Sequence, residues 1–221
     1  MTSRRRHLPG RVLEYCRAHD LLAEGDRILV AVSGGADSMV LLDCLLAIQN
    51  ALRLDLVVGH VDHGLRAGSA ADAAAVAAHA KALGLLIEGV RVDVRAAAAR
   101  GATLEQAARE ARYDALHRMA NAIGARRIAT GHTRTDQAET VLMRLIRGTG
   151  PLGLGGVAPH RADSVVRPLL CAGREEVRAW AETRGLAIRE DPTNRDERHL
   201  RNSVRARLPP LLPVFNSRTE T

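Results

Sequence analysis

Residues 27–42 read RILVAVSGGADSMVLL, and this stretch limits what the chain can fold into more than any other. Ile28, Leu29, Val30, Ala31 and Val32 form a short apolar run rich in β-branched residues, the pattern of a buried strand. Ser33-Gly34-Gly35 breaks the run, and Asp37 and Ser38 suit the start of a helix. Met39, Val40, Leu41, Leu42, Leu45 and Leu46 continue as a helical apolar face. A strand, a glycine turn and a helix N-terminus together make an anion site. Free backbone N–H groups and the positive end of the helix dipole converge there, and the glycines let a phosphate come close.

No lysine follows the glycines, which excludes the G-x-x-x-x-G-K-[ST] phosphate loop, and the G-x-G-x-x-G dinucleotide spacing is absent after this strand. The S-G-G-x-D-S pattern resembles the pyrophosphate-binding loop of the PP-loop (N-type) ATP pyrophosphatases. That resemblance implies that Ser33, Gly34, Gly35, Ala36, Asp37 and Ser38 bind ATP and hold its departing pyrophosphate while AMP passes to a substrate. A plain solvent-facing turn also favours Ser, Gly and Asp, so the rest of the chain has to decide.

Further along, β-type runs at Leu54–Gly59, Leu85–Val92 and Arg127–Thr130 alternate with helical patterns at about 70–83, 103–123 and 136–148. Thr103 with Gln106 fits a capping box. A short amphipathic helix over residues 8–24 precedes the first strand and is expected to cover an edge of the sheet. Alternation of this kind predicts an α/β fold, a doubly wound parallel sheet with a short helical C-terminal extension. A single catalytic domain is expected over residues 1–221, with a core at about 25–160 and a wrap at about 161–221. The wrap contains a strand at 165–170, stopped by Pro168, a charged helix at 174–184 and an Arg-rich stretch at 195–207. In a doubly wound sheet the site lies at the carboxyl ends of the strands. Those ends carry Ser33–Ser38, His60–Arg66 and Gly131–Asp136.

The chain of 221 residues carries 32 Lys and Arg against 25 Asp and Glu, net +7, which favours a polyanionic partner. An Ala- and Arg-rich composition gives the same balance without any such partner. Cys16, Cys44 and Cys171 are widely spaced, with no C-x-x-C pair, which argues against structural zinc and against a disulfide framework. With no apolar run of transmembrane length and no signal-peptide core behind MTSRRRHLPG, a cytoplasmic protein with no membrane partner is expected.

Each remaining motif has a plain reading beside a functional one. His60 and His63 are poorly spaced for zinc; they read better as a loop shaping the nucleotide pocket, with Arg66 towards phosphate or RNA. His63 serves equally well as a hydrogen-bonded loop histidine. GTGPLG at 148–153 follows a helix rather than a strand and reads as a tight turn. His132 ends a strand, and Asp136 and Glu139 share one face of a helix start. The pair can hold Mg²⁺ or a cationic amine opposite Asp37, or Asp136 can simply cap the helix. Glu105, Arg109 and Arg112 share a helix face, with Arg109 in a solvated ion pair and Arg112 a candidate phosphate ligand.

Taken in order, SGGADS, HVDHGLR, EQAAREARYDAL, TGHTRTDQAETVLMRLIRGTG, GLGGV, VRPLL, REEVRAWAETRGL and EDPTNRDERHLRNSVRARLPPL resemble the N-terminal catalytic domain of the tRNA(Ile)-lysidine synthetase family. The resemblance spans residues 25–213 and implies the adenine nucleotide alpha hydrolase-like fold. It further implies ATP and Mg²⁺ as cofactors, and a tRNA(Ile) with a CAU anticodon and free L-lysine as partners. The C2 oxygen of the first anticodon cytidine would be adenylated, and the ε-amine of lysine would then displace AMP to form lysidine. Carried over by residue, Asp37, His132, Asp136, Arg112 and Arg205 are catalytic, and Ser33 to Ser38 with His60 bind ATP. Asp136 and Glu139 bind lysine, Asp37 and Asp136 bind the metal, and Arg201-Asn202 with Arg205 matches a late R-N-x-x-R pattern. Thr135 departs from the Asp or Asn common in that family. The further tRNA-binding domains of many relatives are expected to be absent, and the oligomeric state stays open, a homodimer included. The rival functions are a tRNA thiolase of the same superfamily, which usually needs paired cysteines, and a non-catalytic nucleotide- or RNA-binding module.

Overall fold

The computed structural model describes residues 7–64, 68–94, 103–150, 155–189 and 203–204, without the side chain of Glu105. Arg66, the connection at 95–101, part of the 148–153 turn, and Arg201, Asn202 and Arg205 lie outside the described residues. Five strands form one sheet: β1 (Arg27–Ala31), β2 (Asp55–Asp62), β3 (Leu86–Arg91), β4 (Arg127–Ala129) and β5 (Val165–Val166). All pairings are parallel and the spatial order is β3-β2-β1-β4-β5. The helices are α1 (Leu8–Ala18), α2 (Ala36–Leu52), α3 (Ser69–Ala82), α4 (Leu104–Ile123), α5 (Arg134–Ile146) and α6 (Arg174–Thr183).

Alternation along the strands divides the core in two, because successive side chains of a strand point to opposite faces. Ile28, Val30, Leu56, Val58, Ala129 and Val166 face one way and pack with buried residues of α1, α2, α3 and α6. Leu29, Val57, Ile128 and Val165 face the other way, against Tyr113, Leu116, Met119 and Ala120 of α4. Helices thus cover both faces, as the sequence predicts for a doubly wound sheet. Among the described residues no helix is long and apolar enough to cross a membrane.

Several boundaries differ from the sequence reading for identifiable reasons. α1 ends at Ala18, short of the predicted residue 24, because Asp20 turns to a φ of +50° and Leu21 N–H closes onto Cys16 O. β5 stops at Val166, and Pro168–Cys171 form a 3₁₀ turn, since Pro168 has no N–H to extend the ladder. Only one half of the predicted capping box at α4 is made. Thr103 Oγ1 accepts the Gln106 N–H at 3.2 Å, while the Gln106 amide donates to Glu110 at 3.0 Å.

The C-terminal elements are tied to the core through α2. Trp180 Nε1 donates to Asp43 at 2.8 Å, and Arg184 reaches the same carboxylate at 3.1 Å. Leu29 is fully buried at the centre of the sheet, so Leu29→Ala is expected to destabilise the chain by about 2–5 kcal/mol, read as a lower denaturation midpoint at an unchanged m-value.

Candidate active site

The strand order reverses between β1 and β4, with β2 and β3 added on one side and β4 and β5 on the other, which is where an open α/β sheet offers a crevice. The loop after β1 and the loop after β4 meet there, backbone against backbone. A Cβ on Gly131 would lie 2.9 Å from the Asp37 carbonyl carbon and oxygen and 3.1 Å from Ser38 N. Only glycine permits that approach.

The loop at 33–38 is braced from within. Gly34 takes a φ of +88°, and Gly35 is the N-cap of α2 with extended backbone and no side-chain cap. Ser33 N–H donates to Ser38 Oγ at 3.1 Å, and the Ser38 hydroxyl donates to Gly35 O at 2.9 Å. Ser33 Oγ stands 3.2 Å from Ser38 Oγ and accepts the Gly35 N–H at 3.4 Å. Ala36 and Asp37, both half-buried, form the first turn of α2. The two serines therefore hold the loop open in front of a helix N-terminus that no side chain caps. His60 is buried and its Nδ1 bonds Val32 O at 2.8 Å, which anchors the entry to the loop. From the far end of the described chain, Arg189 N–H donates to Gly34 O at 3.0 Å.

Across the crevice, Thr133 caps α5. Its hydroxyl accepts the Asp136 N–H at 3.3 Å while Asp136 Oδ2 accepts the Thr133 N–H at 2.8 Å and the Thr133 hydroxyl at 2.9 Å. α5 consequently begins at Arg134, two residues before the predicted start, and Asp136 does have the capping job. Its other oxygen, Oδ1, accepts from Arg174 at 3.0 Å, and Glu139 Oε1 accepts from the same guanidinium at 2.8 Å. Gln137, between them, bonds the turn at 155–157 and leaves no room for a Cβ on Gly156, whose φ is +62°.

His132 bonds Thr130 Oγ1 through Nδ1 at 3.0 Å. Burial, and then the charge of Arg167, push its pKa down to about 3; Asp136 pulls the other way, and Arg112 and Arg109 add to the fall. Arg112 also lowers His63, after burial, and lies with its guanidinium 5.4 Å from the Tyr113 ring. Arg109 and Arg161 lie over the same ring, at 5.2 and 4.7 Å. Tyr113 is lowered although its burial alone would raise it, because Arg109, Arg112 and Arg167 outweigh that burial. Of the sequence-predicted residues, His132 feels the charges of Asp136 and Arg112, Asp136 and Glu139 share the Arg174 guanidinium, and Asp37 meets the β4 loop through its backbone at Gly131.

Two residues escaped the sequence reading. Arg167 is almost wholly buried, donates to Ala158 O, and has no partner for Nε. Its signal is a lone charge inside the apolar run VVRPLL. Arg174 opens α6, the wrong end of a helix for a cation, and that mismatch is the one hint of its role.

Among the described residues no group of three or more His, Cys, Asp or Glu side chains is arranged to hold a metal. Mg²⁺ asks for less, commonly one or two carboxylates completed by phosphate and water oxygens. Asp37, on the first turn behind the anion loop, fits that demand; Asp136 has both oxygens engaged by Thr133 and Arg174. Cys16 and Cys44 are buried in the apolar core, where burial drives both thiols upward, Cys16 to about 12. They offer no thiolate pair at the crevice.

Two outcomes are expected from this geometry. Gly131→Ala forces α2 and the β4 loop apart and weakens binding of inorganic pyrophosphate, used as an anion probe, by roughly tenfold or more in calorimetry, through sterics alone. The His132 ring is still neutral at about pH 5 in a ¹⁵N NMR titration and protonates only as the pH falls towards about 3, whereas an ordinary histidine is already protonated at about pH 5. Because its folded pKa lies below the unfolded value, its contribution to stability is present above pH of about 6.5 and declines as pH falls from there towards about 3.

Comparison with known proteins agrees with this architecture. The family model described as PP-loop domain matches residues 11–212. A "tRNA(Ile)-lysidine synthase" from Symbiobacterium thermophilum is 47% identical over 206 residues, covering 91% of this chain and 43% of the relative. One of the same name from Thermus thermophilus is 50% identical over 192 residues, 86% of this chain and 36% of the relative. A third, from Salinispora tropica, is 47% identical over 189 residues, 84% of this chain and 56% of the relative. The chain thus spans roughly a third to just over half of the length of these curated relatives. Among solved structures, the U34-tRNA thiolase NcsA from Methanococcus maripaludis with its [4Fe-4S] cluster superposes with a TM-score of 0.71. That match covers 84% of this chain and 65% of the thiolase at 19% identity, a likeness of fold. With a braced anion loop at the sheet's switch point and a family match over nearly its whole length, the chain belongs to the PP-loop domain family.

Proposed function

We propose that this chain carries out ATP-dependent lysidine formation on a tRNA(Ile) with a CAU anticodon. The C2 oxygen of the first anticodon cytidine attacks the α-phosphorus of ATP, and pyrophosphate leaves. The ε-amine of L-lysine then attacks C2, a C–N bond forms, the C–O bond to AMP breaks, and the amine gives up its protons. The observation that carries this reading is the contact of Gly131 with the uncapped α2 N-terminus, which sets that terminus beside the loop of His132, whose ring feels the charges of Asp136 and Arg112. The relatives' name, tRNA(Ile)-lysidine synthase, supports tRNA(Ile) as the acceptor.

The backbone N–H groups of the first turn of α2 and the dipole of that helix receive the triphosphate, and Ser33 and Ser38 keep the loop in shape. Asp37 would hold Mg²⁺, whose chemistry when bound would be to offset phosphate charge. Arg112 offsets the negative charge that builds on the phosphoryl group, the role that the family resemblance also implies for Arg205. His132 is too weak a base to take a proton from an ammonium group, so it serves as a neutral hydrogen-bonding partner near the α-phosphate. Asp136 and Glu139 receive the lysine amine beside Arg174. Such a reaction belongs in the cytoplasm, where tRNA, ATP and lysine are found together.

The test is incorporation of labelled lysine into unmodified tRNA(Ile) bearing CAU, with ATP and Mg²⁺. Label is expected in the wild-type reaction and at least about 100-fold less in Asp37→Ala, since a phosphate-site carboxylate and its metal act in the transition state. ATP cleaved to AMP and pyrophosphate with tRNA but without lysine transfer would leave adenylation standing and reject lysine as acceptor. Labelled sulfur in the tRNA instead would make the chain a thiolase. No reaction of either kind would make it a binding module.

A further inference from the structure

The pair of carboxylates assigned to the incoming amine already holds a cation in the folded chain. One nitrogen of the Arg174 guanidinium donates to Glu139 Oε1 at 2.8 Å and the other to Asp136 Oδ1 at 3.0 Å. The side chain of Glu139 is wholly buried, and those of Asp136 and Arg174 are only 10% and 13% exposed. A planar fork spanning two carboxylates three residues apart on a helix is a task for arginine; the point charge of lysine does not set two directions at once.

The base of this fork is fixed from several sides. Arg174 N–H donates to Thr135 Oγ1 at 3.0 Å, and Arg134 N–H donates to Ala172 O at 2.8 Å. Glu176 accepts the Gly173 N–H at 3.0 Å and pairs with both Arg11 and Arg134. The Arg11 hydrogen bond, more than any other influence, brings the Glu176 carboxyl down to about 2, so the clamp stays charged across ordinary pH. The N-termini of α5 and α6 are thereby locked side by side, with α1 contributing Arg11. Thr135, the position that departs from the family pattern, supplies the hydroxyl that seats Arg174. A side chain rooted in this way is a fixed fork rather than a swinging latch.

The electrostatic consequence concerns the amine. Two ionised carboxylates carry −2, and the Arg174 guanidinium offsets one of those charges. We propose that Arg174 is a positioning residue of the amine site: seated by the α5–α6 clamp, it orients Asp136 and Glu139 and tempers their charge where the lysine ammonium binds. This deepens the lysine-ligation reading and rests on it. The amine site is therefore complete only when the segment beyond β5 docks on the α5 N-terminus, and the nucleophile's site depends on residues the phosphate site does not use.

The experiment measures lysine dependence of lysidine formation and tRNA-dependent ATP–pyrophosphate exchange in the same chain carrying Arg174→Ala, Arg174→Lys and Thr135→Val, with thermal melting alongside. Arg174→Ala is expected to raise the KM for lysine by roughly tenfold or more while exchange changes by less than about threefold. Arg174→Lys should recover part of that loss, and Thr135→Val should move the KM in the same direction by less. An unchanged lysine KM in variants that only melt earlier would overturn the proposal in favour of a purely structural ion pair. A lower lysine KM would overturn it in favour of a cation that competes with substrate. Equal loss of exchange and lysine transfer would also overturn it, since the effect would not be specific to the amine. If Arg174→Ala does not fold, Arg174→Lys and Thr135→Val are read by the same criteria. Wild-type chain that forms no lysidine would show that the ligation reading itself has failed, and this proposal with it.

Discussion

The close approach of Gly131 to the first turn of α2 is the contact on which the rest of the site depends. Two backbone segments, each following a strand of the central pair, meet with no side chain between them. The register of β1 on β4 places them level, and the crossover from β3 through α4 puts β4 beside β1 rather than at the far edge. An anion site built from helix N–H groups has no chemistry of its own. Bringing the β4 loop to within a backbone's width adds a neutral histidine, a pair of carboxylates and a set of arginines to it.

Charge in this crevice is divided by position. Arg109, Arg112 and Arg167 gather around Tyr113 and His132; burial and their fields keep the imidazole unprotonated, and their fields lower the phenol against its own burial. Asp136 and Glu139, in turn, both bond the guanidinium of Arg174. A phosphoryl group that gains charge as it transfers belongs with the first set, and an amine that must arrive as a cation belongs with the second. The separation is enforced by helices: α4 and the residue after β5 supply the arginines, while α5 and α6 hold the carboxylates.

The plain and functional readings of Asp136 turn out to be compatible. One oxygen caps α5 through Thr133, and the other faces Arg174, so a helix cap and a charged site share one carboxylate. His60 shows the reverse: its ring is turned onto Val32 O, supporting the loop from behind. Gln137 likewise uses its amide to hold the 155–157 turn. Supporting contacts of this kind are made to backbone atoms, which no pattern of residue types announces in advance.

What the sequence determined by itself is the part written in local pattern. Apolar runs of strand length, the glycine turn at 34–35, and the alternation of strands with helices dictate a parallel sheet covered on both faces, because each segment must bury its apolar side and satisfy its own backbone. The same locality makes Ser33 to Ser38 readable as an anion loop, since its chemistry is all within six residues. Tertiary structure alone decided which distant charges meet. Arg174 lies 38 residues from Asp136, and Arg11 lies 165 residues from Glu176. Pairing across such distances depends on how whole helices dock, and docking is set by core packing rather than by the charged residues themselves.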